Sequence, residues 1–167
     1  MRSLTKRYII SSLDGLDLSA PIRYERYYIN DGLRIQSKNG AYQKETLDAD
    51  NNITVQTTIS ADEFQTLKSS AQNEIIRNSY LYLKDRRVSI KEYLGAYAGL
   101  IRVEVSFKTA EEEQAYQKEE WMGPDITASP LAFDKYLSKL SPEDFQTELS
   151  KYFWQTQNIS CTIVLCK

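Results

Sequence analysis

Cations recur at alternate positions in several extended-looking runs, and this spacing is the chain's main chemical feature. Arg34, Gln36 and Lys38 alternate with Leu33 and Ile35, while Tyr42, Lys44 and Thr46 form a second set. Arg77 and Ser79 alternate with Ile76 and Tyr80, and Arg87, Ser89 and Lys91 with Val88 and Ile90. Arg102, Glu104 and Ser106 alternate with Ile101, Val103, Val105 and Phe107; near the start, Ser3, Thr5 and Arg7 share one parity. In a strand, residues of one parity share a face. Each run therefore presents guanidinium or ammonium groups on a polar side. Alternation alone also describes the solvated face of a sheet. Acids, however, are sparse on these faces, in a chain whose 21 Lys+Arg and 23 Asp+Glu leave a net charge of −2. Like charges facing one another across a sheet cost energy, so such a face calls for an anionic partner. Converging Arg and Lys suit a triphosphate, Arg giving bidentate contacts and Lys a point charge.

Absences narrow the chemistry. The chain has no histidine, which excludes His acid–base catalysis, His metal ligation and nucleophile–His pairs. Its two cysteines, Cys161 and Cys166, fall in a strand-like run where positions five apart face opposite sides, too distant for a disulfide. Both read as small hydrophobes.

A length of 167 residues suits one domain, and 41% hydrophobic with 11% aromatic residues supports a real core. The near-neutral balance gives no global pull toward a nucleic acid duplex. No stretch approaches the roughly 20 apolar residues of a membrane span. The N-terminal segment starts basic but lacks an apolar run of signal-peptide length. The expectation is a cytoplasmic protein with no membrane partner.

The elements that must hold these side chains are mostly strands. Period-two patterning predicts them at residues 4–10, 22–29, 33–38, 41–47, 53–58, 75–83, 87–93 and 100–107, with a last one at 159–165. Asn39-Gly40 is a type I′ hairpin signal. Ser60 with Glu63 is a capping box opening a helix over 61–70, and Thr109 with Glu112 opens another to about 118. Ser129-Pro130 and Ser141-Pro142 each set a cap residue before Pro at the first helical position, predicting helices over 130–139 and 142–154. Many strands, few helices and no βαβ rhythm mean an α+β domain with a largely antiparallel sheet. About eight strands can close into a barrel, which removes the edges and leaves an interior.

Several of these runs also resemble the CYTH family, the triphosphate tunnel metalloenzymes. The run 88–107 is similar to that family's strand, Gly-x-x-x-Gly-Leu turn and Glu-bearing strand. An acidic helix over 111–120 follows, then Trp121-Met-Gly-Pro-Asp-Ile-Thr127, which resembles the Trp-x-Gly-x-acid-aliphatic-Thr signature. Gly32-Leu-Arg34-Ile-Gln36 resembles the Val-Arg-x-Arg strand, Tyr42-Gln-Lys44 the tunnel lysine strand, and Ile76-Arg77-Asn-Ser79-Tyr80 the Lys-x-Arg-Tyr strand. The resemblance covers about residues 4–140; residues 141–167 are expected to add a helix and an extra strand to a single domain. It implies an eight-stranded antiparallel barrel whose inward Arg and Lys bind a triphosphate and whose inward Glu residues hold Mg²⁺ or Mn²⁺. Arg34, Lys44, Arg77, Arg7, Lys91 and Arg102 are then the phosphate contacts, and Glu104 the metal ligand; the plainer reading of Glu104 is a structural ion pair with Arg102 or Arg34.

The departures fall on the metal side. The family's first Glu-x-Glu-x-Lys is here Ser3-Leu-Thr5-Lys-Arg7, its later Glu-x-Glu is Glu104-Val-Ser106, and an inward Asp is Lys91. Gln36 and Ser79 stand where the family has Arg. A hard dication needs several oxygen anions, and Glu104 is the clear one left. The expectation is a domain that binds a triphosphate-bearing or polyphosphate ligand, a nucleotide among them, with weak or no metal-dependent hydrolysis. Two rivals stay open. One is a working Mg²⁺ or Mn²⁺ triphosphatase using Glu104 with Glu25 or another acid. The other is a protein-interaction domain on the same scaffold, which a plugged tunnel would favour.

Overall fold

The computed structural model describes residues 4–164, with side chains through residue 153. Its eight strands are β1 (Thr5–Ile10), β2 (Ile22–Asn30), β3 (Leu33–Lys38), β4 (Ala41–Leu47), β5 (Ile53–Thr58), β6 (Asn73–Leu81), β7 (Val88–Leu94) and β8 (Ile101–Ser106). They form one sheet in the order β1-β8-β7-β6-β2-β3-β4-β5, antiparallel throughout. Helices α1 (Ala61–Lys68), α2 (Ala110–Ala115), α3 (Asp134–Leu137) and α4 (Pro142–Val164) complete the α+β domain. No described helix is long and apolar enough to cross a membrane.

The Asn39-Gly40 turn forms as its sequence dictates. Both residues have positive φ (48° and 83°), which a type I′ turn requires. Lys38 therefore pairs with Ala41 and the register runs on to Arg34 opposite Glu45. Among the described residues no ladder joins β1 to β5, so the barrel closure expected from strand count is not made by backbone pairing. β1 is covered by the chain at 124–126: the Ile9 N–H donates to Pro124 O (3.0 Å) and the Ile126 N–H to Arg7 O (2.9 Å). Gly123 permits this approach, since a Cβ there would lie 2.1 Å from Ile9 O.

The two faces have different cores. On the outer face, Tyr8, Val103, Val105 and Phe107 pack with Met122 and the residues before it, while Ile35 and Tyr27 pack beneath Phe64 of α1. On the inner face, Ile9, Ile75 and Tyr93 lie against Leu131, Leu137 and Phe145. The last three are completely buried, each contributing about 1.5–3 kcal/mol. Together they fasten α3 and the start of α4 across the sheet.

Three predicted elements differ. The acidic helix stops at Ala115, because Tyr116 is extended (φ −68°, ψ 128°) and packs its ring on Phe107. The helix expected over 130–139 divides into a 3-10 turn, Pro130–Ala132, and the single turn α3, separated by extended Phe133. Residues 159–164 belong to α4, not to a strand, and Leu165 lies outside the described residues. A β-branched run of that length is compatible with either periodicity; here the helix started by the Ser141 cap, whose Oγ accepts from the Asp144 N–H (3.1 Å), continues through it. Cys161 is thus helical and Cys166 lies outside the described residues, so the strand argument against their pairing does not apply.

Candidate functional site

Six adjacent strands each set one cation on the inner face. In sheet order these are Arg7 (β1), Arg102 (β8), Lys91 (β7), Arg77 (β6), Arg26 (β2) and Arg34 (β3). Neighbouring strands lie roughly 4.8 Å apart, so the cations form a row across the sheet. Arg34, Arg77 and Arg102 are buried. The side chains of Arg7, Lys91 and Arg26 keep 13%, 14% and 18% exposure, which leaves the row within reach of solute.

Three carboxylates are set among these six cations. Glu104, also on β8, lies 3.3 Å from Arg7 Nε and 2.9 Å from Arg102 Nη2, and contacts Lys91 Nζ. Glu45 accepts from Arg34 Nε (2.7 Å) and from Gln56 Nε2 (2.9 Å). Asp134, the first residue of α3, reaches the centre of the row. Its Oδ2 accepts from Arg26 Nη1 (2.9 Å) and Arg77 Nε (3.2 Å), and its Oδ1 from Arg102 Nη2 (2.9 Å) and the Tyr93 hydroxyl (2.6 Å). Aromatic rings flank the guanidiniums, with Phe133 4.4 Å from Arg7 and Tyr24 4.5 Å from Arg77.

This crowding shifts the ionisable groups. Burial, then the charge of Arg102, lowers the Arg7 guanidinium to about 10, still protonated at neutral pH. Burial, then Arg77 and Arg102, pushes the Lys91 ammonium well below its ordinary value. Burial would raise the Asp134 carboxyl, but Arg77, Arg102 and Arg26 outweigh it and hold the group well below the ordinary carboxylate value. Burial likewise raises the Tyr93 hydroxyl, which stays a neutral donor. The net arrangement can bind and orient anions.

Of the predicted phosphate contacts, Arg7, Arg34, Arg77, Lys91 and Arg102 come together on this face. Lys44 does not. It is the register partner of outer-face Ile35, and its ammonium pairs with Glu63 of α1 at 3.0 Å. Glu25 also stands apart, on the opposite parity from Arg26, with Arg23 3.2 Å away. Sequence reasoning missed Arg26, Glu45, Tyr93 and Asp134. Arg26 carried a signal, since its parity with Tyr24 and Tyr28 puts it on the same face as Arg34, the partner of Tyr28.

The expected metal does not fit Glu104. Three cations surround that carboxylate and take up its oxygens, a positive environment that repels a dication. Among the described residues no group of three or more His, Cys, Asp and Glu side chains is placed to hold a metal ion. Clefts of about 400 and 360 Å³ lie elsewhere, beside Arg87 and Tyr116 and beside Ile10 and Trp121. Their walls hold no comparable set of converging cations.

No protein-family model matches the chain, and no curated protein matches it. Solved structures do share the fold. The inorganic triphosphatase NE1496 is 16% identical with a TM-score of 0.70, over 85% of this chain and 97% of that one. A second structure, described as the hypothetical protein NE1496, is 16% identical with a TM-score of 0.68, over 82% and 97%. The chain therefore has the fold of a known inorganic triphosphatase.

Proposed function

We propose that the inner face binds an oligophosphate of the triphosphate class, as a CYTH-type domain without effective metal-dependent hydrolysis. One observation carries this reading: six adjacent strands each direct a cation to one face, against three carboxylates there. Buried cations in excess of their carboxylates are costly, and a polyanion supplies the missing charge. The fold shared with an inorganic triphosphatase supports the same ligand class. Arg7, Arg26, Arg34, Arg77, Lys91 and Arg102 are the phosphate contacts in this reading, and Lys44 is not among them. With Glu104 held by cations, binding needs no divalent metal.

A second reading has its own observation. Every one of the six cations contacts a carboxylate with both partners at most 18% exposed, and Asp134 covers the middle of the row. The face would then be an internal ion network on an interaction domain. Thermal melting with sodium tripolyphosphate separates the two. At about a hundredfold above the dissociation constant, a bound ligand stabilises by roughly 2.7 kcal/mol, about 5–10 °C for a domain of this size. The shift should shrink with salt. Absence of any shift with tripolyphosphate or nucleoside triphosphates selects the ion network.

A further inference from the structure

The four groups that hold Asp134 are the donors a phosphoryl group requires. Two guanidinium nitrogens meet one carboxylate oxygen, and a third guanidinium and a phenol meet the other. Three cations around one carboxylate is more positive charge than a single acid compensates. Arg102 moreover carries an unused donor: its Nε is buried and makes no hydrogen bond among the described residues. A carboxylate has two oxygens, both engaged here. A phosphoryl group has three and carries up to twice the charge.

The acid is also mounted so that it can be withdrawn. Asp134 opens a helix of four residues with no side-chain cap, directly after extended Phe133. The turn is pinned on either side by fully buried Leu131 and Leu137, while Tyr136 within it is 54% exposed. Between those pins it is held on the sheet by the four hydrogen bonds of the carboxylate and by Phe133 over the Arg7 guanidinium. Losing those four hydrogen bonds is compensated if another anion takes them over.

Building on the proposed oligophosphate binding, we propose that Arg26, Arg77, Arg102 and Tyr93 form a phosphoryl subsite that the Asp134 carboxylate occupies until a polyphosphate displaces it. Glu104 shares Arg102 Nη2 with Asp134, at 2.9 Å each, so this subsite adjoins Arg7 at the β1 end of the row, with Lys91 between Arg102 and Arg77. A linear oligophosphate would run from one to the other. Asp134 is then a competitor built into the chain, and it sets the threshold of ligand concentration at which the site fills.

The test is calorimetric titration of the full chain with sodium tripolyphosphate in metal-free buffer, comparing the parent with Asp134→Ala. Removing the competitor should tighten binding by about tenfold or more, as expected when the competent state is no longer a minor one. A folded variant that binds no more tightly than the parent overturns the subsite while leaving polyphosphate binding in place. If neither binds, the proposed function fails and the subsite with it. A measurement on the parent alone covers the case of a variant that does not fold. Hydrogen exchange reports on the Leu137 and Ser138 amides, which donate to Phe133 O and Asp134 O at 2.9 Å each. Saturating tripolyphosphate should lower their protection; unchanged or increased protection overturns displacement.

Discussion

Replacing Asp134 by Asn tests the electrostatics of the inner face. The carboxylate is 5% exposed and compensates Arg26, Arg77 and Arg102 at once. Asn keeps the shape and one acceptor, which can still serve Tyr93 and Arg102. Its amide group would then point donors at the donors Arg26 Nη1 and Arg77 Nε. Breaking one member of a buried ion pair costs about 3–5 kcal/mol, a range that applies here because three cations lose their counter-charge. For a domain of this size that lowers Tm by about 6–20 °C. The pH dependence has a definite sign. Asp134 titrates well below its ordinary value of 3.8 in the folded chain, so the unfolded chain binds more protons between those two values. Its stabilisation is complete above 3.8 and disappears as pH falls through the folded value. Urea melts followed by circular dichroism should show a constant gap between parent and variant from neutral pH down to about 3.8, closing as pH falls from there toward the folded value. A variant within about 0.5 kcal/mol of the parent at pH 7, the range of an ordinary surface change, refutes the reasoning.

Other outcomes follow from the same geometry. Arg34→Ala should weaken tripolyphosphate binding whereas Lys44→Ala should leave it unchanged, as read by titration calorimetry, because only Arg34 lies on the inner face. The parent should release little phosphate from tripolyphosphate with Mg²⁺ or Mn²⁺ in a colorimetric assay; robust metal-dependent turnover would overturn the view of Glu104 as cation-bound. Binding should take up protons between the depressed Lys91 value and its ordinary 10.5, since a polyanion returns Lys91 toward its charged form; calorimetry in buffers of different ionisation enthalpy measures this. Gly123→Ala should destabilise the fold by about 1–3 kcal/mol in thermal melts, because the added methyl meets Ile9 O.

Much of the fold was legible because strand signals are local. The period-two runs and the Asn39-Gly40 turn gave eight strands that form, and the Ser60 and Thr109 caps both accept from the third residue of their helices. Sequence read less well where chain ends and packing decide. The run at 159–164 has β-branched residues that suit either period. The segment over 130–139 had a good start signal but no local reason to break at Phe133. That break comes from packing Leu131 and Leu137 on the sheet while Asp134 reaches the arginines. Asp134 itself was not legible, since its partners Arg26 and Arg77 lie 108 and 57 positions away and nothing nearby marks it.

The exchange of Lys44 for Glu45 is more instructive, because the information was present. Alternation divides a strand into two sets of side chains but does not say which set faces the site. Choosing Lys44 followed its charge and the resemblance of Tyr42-Gln-Lys44 to a tunnel lysine strand. The turn decides otherwise: a two-residue loop at Asn39-Gly40 pairs 38 with 41, hence Arg34 with Glu45 and Ile35 with Lys44. Directly opposed residues share a face. If Arg34 is inward, Glu45 must be too, and Lys44 must go with apolar Ile35 to the side that α1 covers. An acid opposite a buried arginine also makes better electrostatic sense than a second cation there. Hairpin register therefore locates a charged site more reliably than residue charge does, wherever one strand of the pair has already been oriented.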